Sequence, residues 1–162
     1  MPERPSLSIS VVLEREAIES PWADHHWSLA GVLPDVGGEA RVLVDLPQRM
    51  QRLHPGFELA LFDDEAEGYF LNASSEEPSV FVCLRTDEAR GEEVFPLQAT
   101  LSYNEAARWM DGGERVERIA AWPELAAWMG AWVEANYKPE PKRRRKPRSF
   151  EGQGDLREKG RS

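Results

Sequence analysis

The sequence predicts an α+β domain, in which an antiparallel sheet or half-open barrel of six to eight strands is covered by C-terminal helices. Residues 6–120 contain short segments in which apolar and polar residues alternate, and brief turns rich in Pro and Gly join them. Parallel strands would need crossover helices between them, so the strands are expected to be antiparallel. After residue 101 the apolar period lengthens to that of a helix.

The first two thirds of the chain are predicted to be mostly strand. In Ser6–Glu14, Leu7, Ile9 and Val11 occupy alternate positions, which gives the strand one apolar face. Further extended segments are predicted at 27–33, 41–46, 57–62, 69–72, 79–85 and 94–101. His54–Gly56 is predicted to be a turn, and the acidic run 63–68 the tip of a hairpin.

Two helices are predicted near the end of the domain. Ser102–Glu105 matches a capping box before a helical run at 106–110, which Asp111–Gly113 ends. A short extended segment at 115–120 then leads to Pro123, a residue suited to the first position of a helix. From there to about Asn136 the apolar residues fall on one stripe, which consists of Leu125, Trp128, Met129, Trp132 and Val133.

Charge divides the chain into an acidic body and a basic tail. Residues 138–162 carry ten Lys or Arg and four Asp or Glu, a net charge of +6, whereas the whole chain carries −9 and residues 1–137 therefore −15. The tail has almost no apolar residues and is expected to be disordered, so we predict one domain at 1–137 and a tail at 138–162. An acidic body repels nucleic acid and anionic membranes.

The tail contains a polycation without interleaved aromatic residues. Its members are Lys142, Arg143, Arg144, Arg145 and Lys146. This run is suited to RNA, lipid or an acidic protein partner, but it would equally serve to keep an acidic body soluble. We include it among the predicted partner-binding residues.

The sequence predicts a cytoplasmic protein. The N-terminus has no apolar core of signal-peptide length, and no stretch has the roughly 18 apolar residues that span a bilayer. The single cysteine, Cys83, lies in an apolar run, which excludes an intrachain disulfide framework and fits a reducing compartment.

One segment combines large aromatic surface with titratable groups. Trp22 and Trp27 bracket Asp24, His25 and His26 within residues 14–34. In a strand, adjacent histidines point to opposite faces, so His25 and His26 could not both bind one ion without a bulge. The chain has three histidines and neither an HExxH nor a CxxC motif. We therefore predict no metal site, and predict that Trp22, Asp24, His25 and Trp27 contact a partner.

Catalytic and nucleotide-binding motifs are absent from the sequence. A buried Cys83 would have a raised pKa, the opposite of what a reactive thiolate needs. The chain has no GxSxG elbow, no GxGxxG fingerprint and no Walker lysine. The sequence thus predicts neither catalytic residues nor a bound cofactor.

The order of several short motifs resembles a proteobacterial domain family of unknown function, whose genes typically lie beside those of molybdenum-dependent formate dehydrogenases. The resemblance covers most of residues 8–137. It is carried by Val12-Leu-Glu-Arg15, Pro21-Trp22-x-Asp24-His25-x-Trp27, Gly31-Val-Leu-Pro34, Tyr69-x-Leu-Asn72, Pro78-Ser-Val-Phe-Val82 and Leu84-Arg85.

This resemblance implies a non-enzymatic accessory protein that assists the maturation or assembly of a formate dehydrogenase, with one of its subunits or a maturation factor as partner. The alternative is a small cofactor- or metal-binding protein, or an enzyme, that handles molybdenum cofactor and uses Asp24, His25 and His26.

Overall fold

The computed structural model describes residues 4–18 and 25–139. Strands occupy most of the first hundred residues, and the two longer helices follow them. The elements are β1 (Ser6–Ala17), β2 (His25–Pro34), β3 (Arg41–Leu46), β4 (Arg49–Ala60), α1 (Ala66–Ala73), β5 (Ser79–Asp87), β6 (Glu93–Thr100), α2 (Tyr103–Asp111), β7 (Arg115–Ala120) and α3 (Pro123–Asn136). Short 3-10 helices span Asp63–Glu65 and Glu88–Arg90.

The predicted α+β class is confirmed, and the described residues contain seven antiparallel strands that form two sheets. The first sheet has the order β2-β1-β4-β3 and the second the order β6-β5-β7. No closed barrel forms within the described ranges. None of the helices described there is long and apolar enough to cross a membrane.

Sequence periodicity explains how the first sheet faces the core. Ile9, Val11 and Leu13 alternate along β1 and are fully buried. Ser10 lies between them on the other face and is also fully buried, where its hydroxyl donates to Asp35 Oδ1 at 2.9 Å. The opposite face of β1 is therefore covered too, by the segment that follows β2.

The second sheet is centred on β5, which is buried on both faces. Residues 79–84 are all buried, as the nearly unbroken β-rich run at 79–85 predicts for a central strand. The core between the two sheets also receives Leu125, Met129 and Val133 from α3. Trp132 of the same helix stands edge-on to Tyr69, with ring centroids 5.5 Å apart. The predicted apolar stripe of α3 is thus confirmed.

Buried polar groups connect α1 to the second sheet. Asn72 is 1% exposed, and its Nδ2 donates to the carbonyls of Ser79 at 2.7 Å and of Leu101 at 2.9 Å. Its Oδ1 accepts from the Ser79 backbone N–H at 2.9 Å. One side chain therefore satisfies three backbone groups, which otherwise would be unpaired in the interior.

Two local predictions are wrong. Residues 63–72 form a 3-10 helix followed by α1, and not a hairpin tip with an extended segment. In the helix Gly68, Tyr69 and Asn72 share the buried face, and this burial outweighs weak local preferences. His54–Gly56 does not turn the chain but lies within β4, where the pairing with β1 shifts register and Gly56 has a φ of 87°.

Candidate functional site

A cleft between the two sheets is lined on one side by neighbouring side chains of β2, β1 and β4. Arg15 of β1 lies opposite both Trp27 of β2 and Met50 of β4. The guanidinium carbon of Arg15 is 5.9 Å from the centroid of the Trp27 ring, within cation–π range. Because side chains alternate along a strand, His25 faces the same way as Trp27, and Arg52 the same way as Met50.

The connection from β5 to β6 forms the other wall. The Asp87 side chain accepts from the backbone N–H of Ala89 at 3.1 Å and caps the 3-10 helix that carries Arg90. Gly91 then reverses the chain with a φ of 70°, a conformation that glycine adopts without steric cost. This turn brings Arg90 and Glu93 to the cleft.

The cleft consists of two adjoining pockets that share Arg52, Arg90 and Glu93. The first, of about 220 Å³, is lined by Arg15, His25, Trp27, Met50, Arg52, Arg90, Gly91 and Glu93. The second, of about 300 Å³, is lined by Ala40, Arg52, His54, Asp87, Arg90, Glu93 and Phe95. Together they are large enough for a small organic molecule.

The charge balance of the cleft differs from that of the chain as a whole. Three arginines line it against two carboxylates, whereas the whole chain carries a net charge of −9. Arg52 Nε lies 3.0 Å from Glu93 Oε2, but its N–H has no acceptor with hydrogen-bond geometry among the described residues. Arg90 Nε lies 3.7 Å from Asp87 Oδ2. The cleft is a local basic region on an acidic protein.

His54 is a neutral, half-buried member of this cleft. Burial, and then the positive charge of Arg52, lower the pKa of His54 from 6.5 to about 4. Its Nε2 atom is buried and has no hydrogen-bond partner within the described ranges. Such an unpaired buried group costs about 1–3 kcal/mol. His54 therefore contributes an uncharged imidazole to the lining of the larger pocket.

Some of the predicted site residues lie within the part of the chain that the structure describes, and others lie outside it. His25 and Trp27 lie at the cleft, and His26 lies on the other face of β2, as the alternation predicts. Trp22 and Asp24 fall outside the described residues, as does the predicted polycation 142–146. Within 4–18 and 25–139, no group of three His, Cys, Asp or Glu side chains is arranged to hold a metal ion.

The sequence interpretation missed the arginines of the cleft, although a signal was present. Arg15 continues the buried alternating series of Ile9, Val11 and Leu13, so its position already indicated a charge on the inner face of β1. The positions of Arg52 and Arg90 depend on how distant strands pair, which local patterns do not specify.

Cys83 is a buried structural residue. Its side chain is fully buried in β5, and burial, followed by the carboxylate of Glu114, raises the pKa of the thiol to about 11. Only the thiolate is an effective nucleophile, so burial and the raised pKa are both expected to slow the reactions of this thiol in the folded protein.

The two edges of the first sheet differ. At the β2 edge, the backbone N–H of Leu29 donates to Glu117 Oε1 at 2.8 Å, and the carbonyl of Trp27 accepts from Arg115 Nη2. Arg115 and Glu117 of β7 also bond to each other, with Nε and Oε2 3.0 Å apart. Charged side chains thus occupy the backbone groups to which another strand would pair.

The β3 edge has an apolar surface and no strand partner on its outer side within the described ranges. Val42 is 43% exposed, Leu43 is 49% exposed and Leu46 is 51% exposed. An exposed apolar edge strand favours pairing with a strand from another chain, unless something covers it.

Sequence comparison places the chain in a defined family. The model of a family described as protein of unknown function, DUF3305, matches residues 8–146. No curated protein and no solved structure matches the chain.

Proposed function

We propose that this chain, which belongs to the DUF3305 family of proteins of unknown function, is a non-enzymatic accessory protein that docks a protein partner on the β3 edge. The observation that carries this proposal is the contrast between the two edges of one sheet. The β2 edge is occupied by Arg115 and Glu117, whereas β3 exposes three large apolar side chains.

The backbone groups and apolar side chains exposed on β3 determine what kind of partner would bind there. An extended segment added alongside β3 would bond to its outer backbone groups, which gives affinity. Apolar side chains on that segment would cover Val42, Leu43 and Leu46, which gives specificity. The partner is therefore a protein with an accessible apolar strand or peptide.

The partner we propose is a subunit or maturation factor of a molybdenum-dependent formate dehydrogenase. This part rests on the sequence resemblance and on the genes that typically neighbour that family. The polycation at 142–146 is proposed as a second, electrostatic contact with such a partner, since exposed charge pairs act over a Debye length of about 8–10 Å.

The test is affinity purification of the tagged full chain from its native cell, followed by mass spectrometry. Formate dehydrogenase polypeptides should co-purify with the wild type and be reduced at least about tenfold with Leu43→Lys, because a charge on an edge strand opposes strand pairing. Leu97→Lys is the matched control, since Leu97 is an exposed leucine (37%) on β6 of the other sheet.

The outcomes separate the two parts of the proposal. Equal recovery with both lysine variants would exclude docking on β3. Recovery of a different, Leu43-dependent partner would keep the docking edge and exclude the assignment to formate dehydrogenase.

A further inference from the structure

We propose that the cleft between the two sheets binds a small molecule that carries a phosphate group. This goes beyond the docking of a protein on β3, because it assigns a ligand to a different surface. Three guanidinium groups from separate elements line this one cleft. Arg15 comes from β1, Arg52 from β4, and Arg90 from the 3-10 helix between β5 and β6.

The smaller pocket carries more positive than negative groups, which suits an anion such as phosphate. Arg15, Arg52 and Arg90 line it together with one carboxylate, Glu93. This lining alone has two more positive than negative groups, and Asp87 of the adjoining pocket, 3.7 Å from Arg90, reduces that excess towards one. A phosphate monoester carries about 1.5–2 negative charges at pH 7, whereas one carboxylate carries a single charge. A phosphate would therefore find an excess of positive charge at the pocket, and its oxygens could accept from all three guanidinium groups.

The arginines have the capacity to bind an anion. Planar guanidinium groups match the oxygens of phosphate in a two-point fork. Arg52 is fixed by Glu93 at 3.0 Å, yet its Nε–H has no aligned acceptor in the described part of the chain. Arg90 is 74% exposed and contacts Asp87 only at 3.7 Å, so it is able to turn towards a ligand.

The larger pocket provides for the remainder of the molecule. Phe95 and Ala40 contribute apolar surface to it, and His54 contributes a buried nitrogen without a partner among the described residues. A neutral imidazole has one N–H donor and one acceptor nitrogen, and either can pair with a hydroxyl or an amide. The proposed ligand therefore has a phosphate at the Arg15 end and an uncharged polar group near His54.

The three histidines of the chain allow a direct test on the intact protein. His25 and His54 line the cleft, whereas His26 lies on the opposite face of β2 and is an internal control. Imidazole NMR signals are followed as inorganic phosphate or glycerol 3-phosphate is added at constant ionic strength, with acetate as the carboxylate probe. The His25 and His54 signals should shift saturably with the phosphate compounds, and the His26 signal should stay in place.

The variant test compares arginines within and outside the cleft. Arg15→Gln combined with Arg90→Gln should weaken the apparent affinity for glycerol 3-phosphate at least about tenfold, since hydrogen bonds to charged groups are the stronger ones. Arg49→Gln is the control, because Arg49 lies on β4 beside Glu14, away from both pockets. Unchanged circular dichroism verifies that each variant is folded.

Several results would overturn the proposal. They are equal shifts of all three histidines, an equal or stronger response to acetate, the same loss of affinity with Arg49→Gln, or no saturable response to any phosphate compound. Leu43→Lys should bind glycerol 3-phosphate like the wild type, so a failure of docking on β3 would leave this result unaffected.

Discussion

Exchanging glycine for alanine should have opposite effects on stability at Gly68 in α1, which packs closely against the start of α2, and at Gly130 in α3. A Cβ atom at Gly68 would lie 2.1 Å from Ser102 Oγ, 3.0 Å from Ser102 Cβ and 3.1 Å from the Asn104 backbone nitrogen. Ser102 is fully buried and cannot move aside cheaply. A Cβ at Gly130 in α3 would meet no atom within 4 Å. Gly68→Ala should therefore destabilise the protein, and Gly130→Ala should stabilise it.

The expected loss of stability in Gly68→Ala depends on the interactions that Ser102 makes. Its hydroxyl caps α2 by accepting from the Glu105 N–H at 3.0 Å, and it donates to Glu65 Oε1 at 2.6 Å. Overpacking costs about 1–3 kcal/mol and loss of a cap about 0.5–2 kcal/mol, while exchanging glycine for alanine in a helix gains about 1 kcal/mol. Gly68→Ala should thus lower the free energy of unfolding by about 1–3 kcal/mol. Gly130→Ala should raise it by about 0.5–1 kcal/mol.

Urea unfolding followed by tryptophan fluorescence measures both changes, provided that the slope with urea stays constant. A double-mutant cycle identifies the cause: in a Ser102→Ala background, where the closest atom is gone, Gly68→Ala should cost less. If Gly68→Ala stabilises the protein as Gly130→Ala does, the close packing of α1 on α2 is wrong.

Three further predictions concern buried groups. Asn72→Ala should lower the free energy of unfolding by about 3–5 kcal/mol, measured by urea unfolding, because three buried backbone groups lose their partner. Stability should fall as pH drops from 6.5 to about 4, by up to about 3 kcal/mol, because His54 takes up a proton in the unfolded chain but not in the folded one. Cys83 should react with Ellman's reagent at least about 100-fold more slowly in the folded protein than in urea.

Each of these has a control within the chain. Asn136→Ala removes an exposed side chain whose one hydrogen bond within the described residues is to the Trp132 carbonyl, and it should change stability by less than about 0.5 kcal/mol. His54→Gln should remove the change in stability between pH 6.5 and 4.5. The carboxylates of Glu14, Asp35 and Glu114 have lowered pKa values, so their contribution to stability is lost at lower pH. Fast modification of Cys83 in the folded state would contradict its burial.

Local signals were sufficient for the elements near the C-terminus. Pro123 marks the start of α3 at the predicted residue, and Ser102 caps α2 as its motif predicts. The errors lie where tertiary contacts decide. The sequence of α1 is short and has only a weak helical pattern, and its helix is held by buried contacts of Tyr69 and Asn72 with distant elements. Gly56 resembles a turn residue in the sequence, but it forms a bulge inside β4.

The site was only partly predictable for the same reason. His25 and Trp27 were selected because aromatic and titratable residues are concentrated in one segment of the sequence. The structure places both at the cleft. The other half of the cleft, from Asp87 to Glu93, is about sixty residues away in the chain and meets β4 only in the folded protein. The resemblance to a family of unknown function is confirmed, while its link to formate dehydrogenase stays a prediction.

The β3 edge and the cleft are connected through the pairing of β3 with β4. Val42 of β3 pairs directly with Arg52 of β4, and Arg41 pairs with Leu53, the neighbour of His54. Ala40, one residue before β3, lines the larger pocket. A partner strand added to β3 would hold the strand that flanks Arg52 and would lie beside the mouth of the cleft. Since coupling between two sites is reciprocal, the factor by which a partner on β3 changes the affinity for phosphate must equal the factor by which phosphate changes the affinity for that partner.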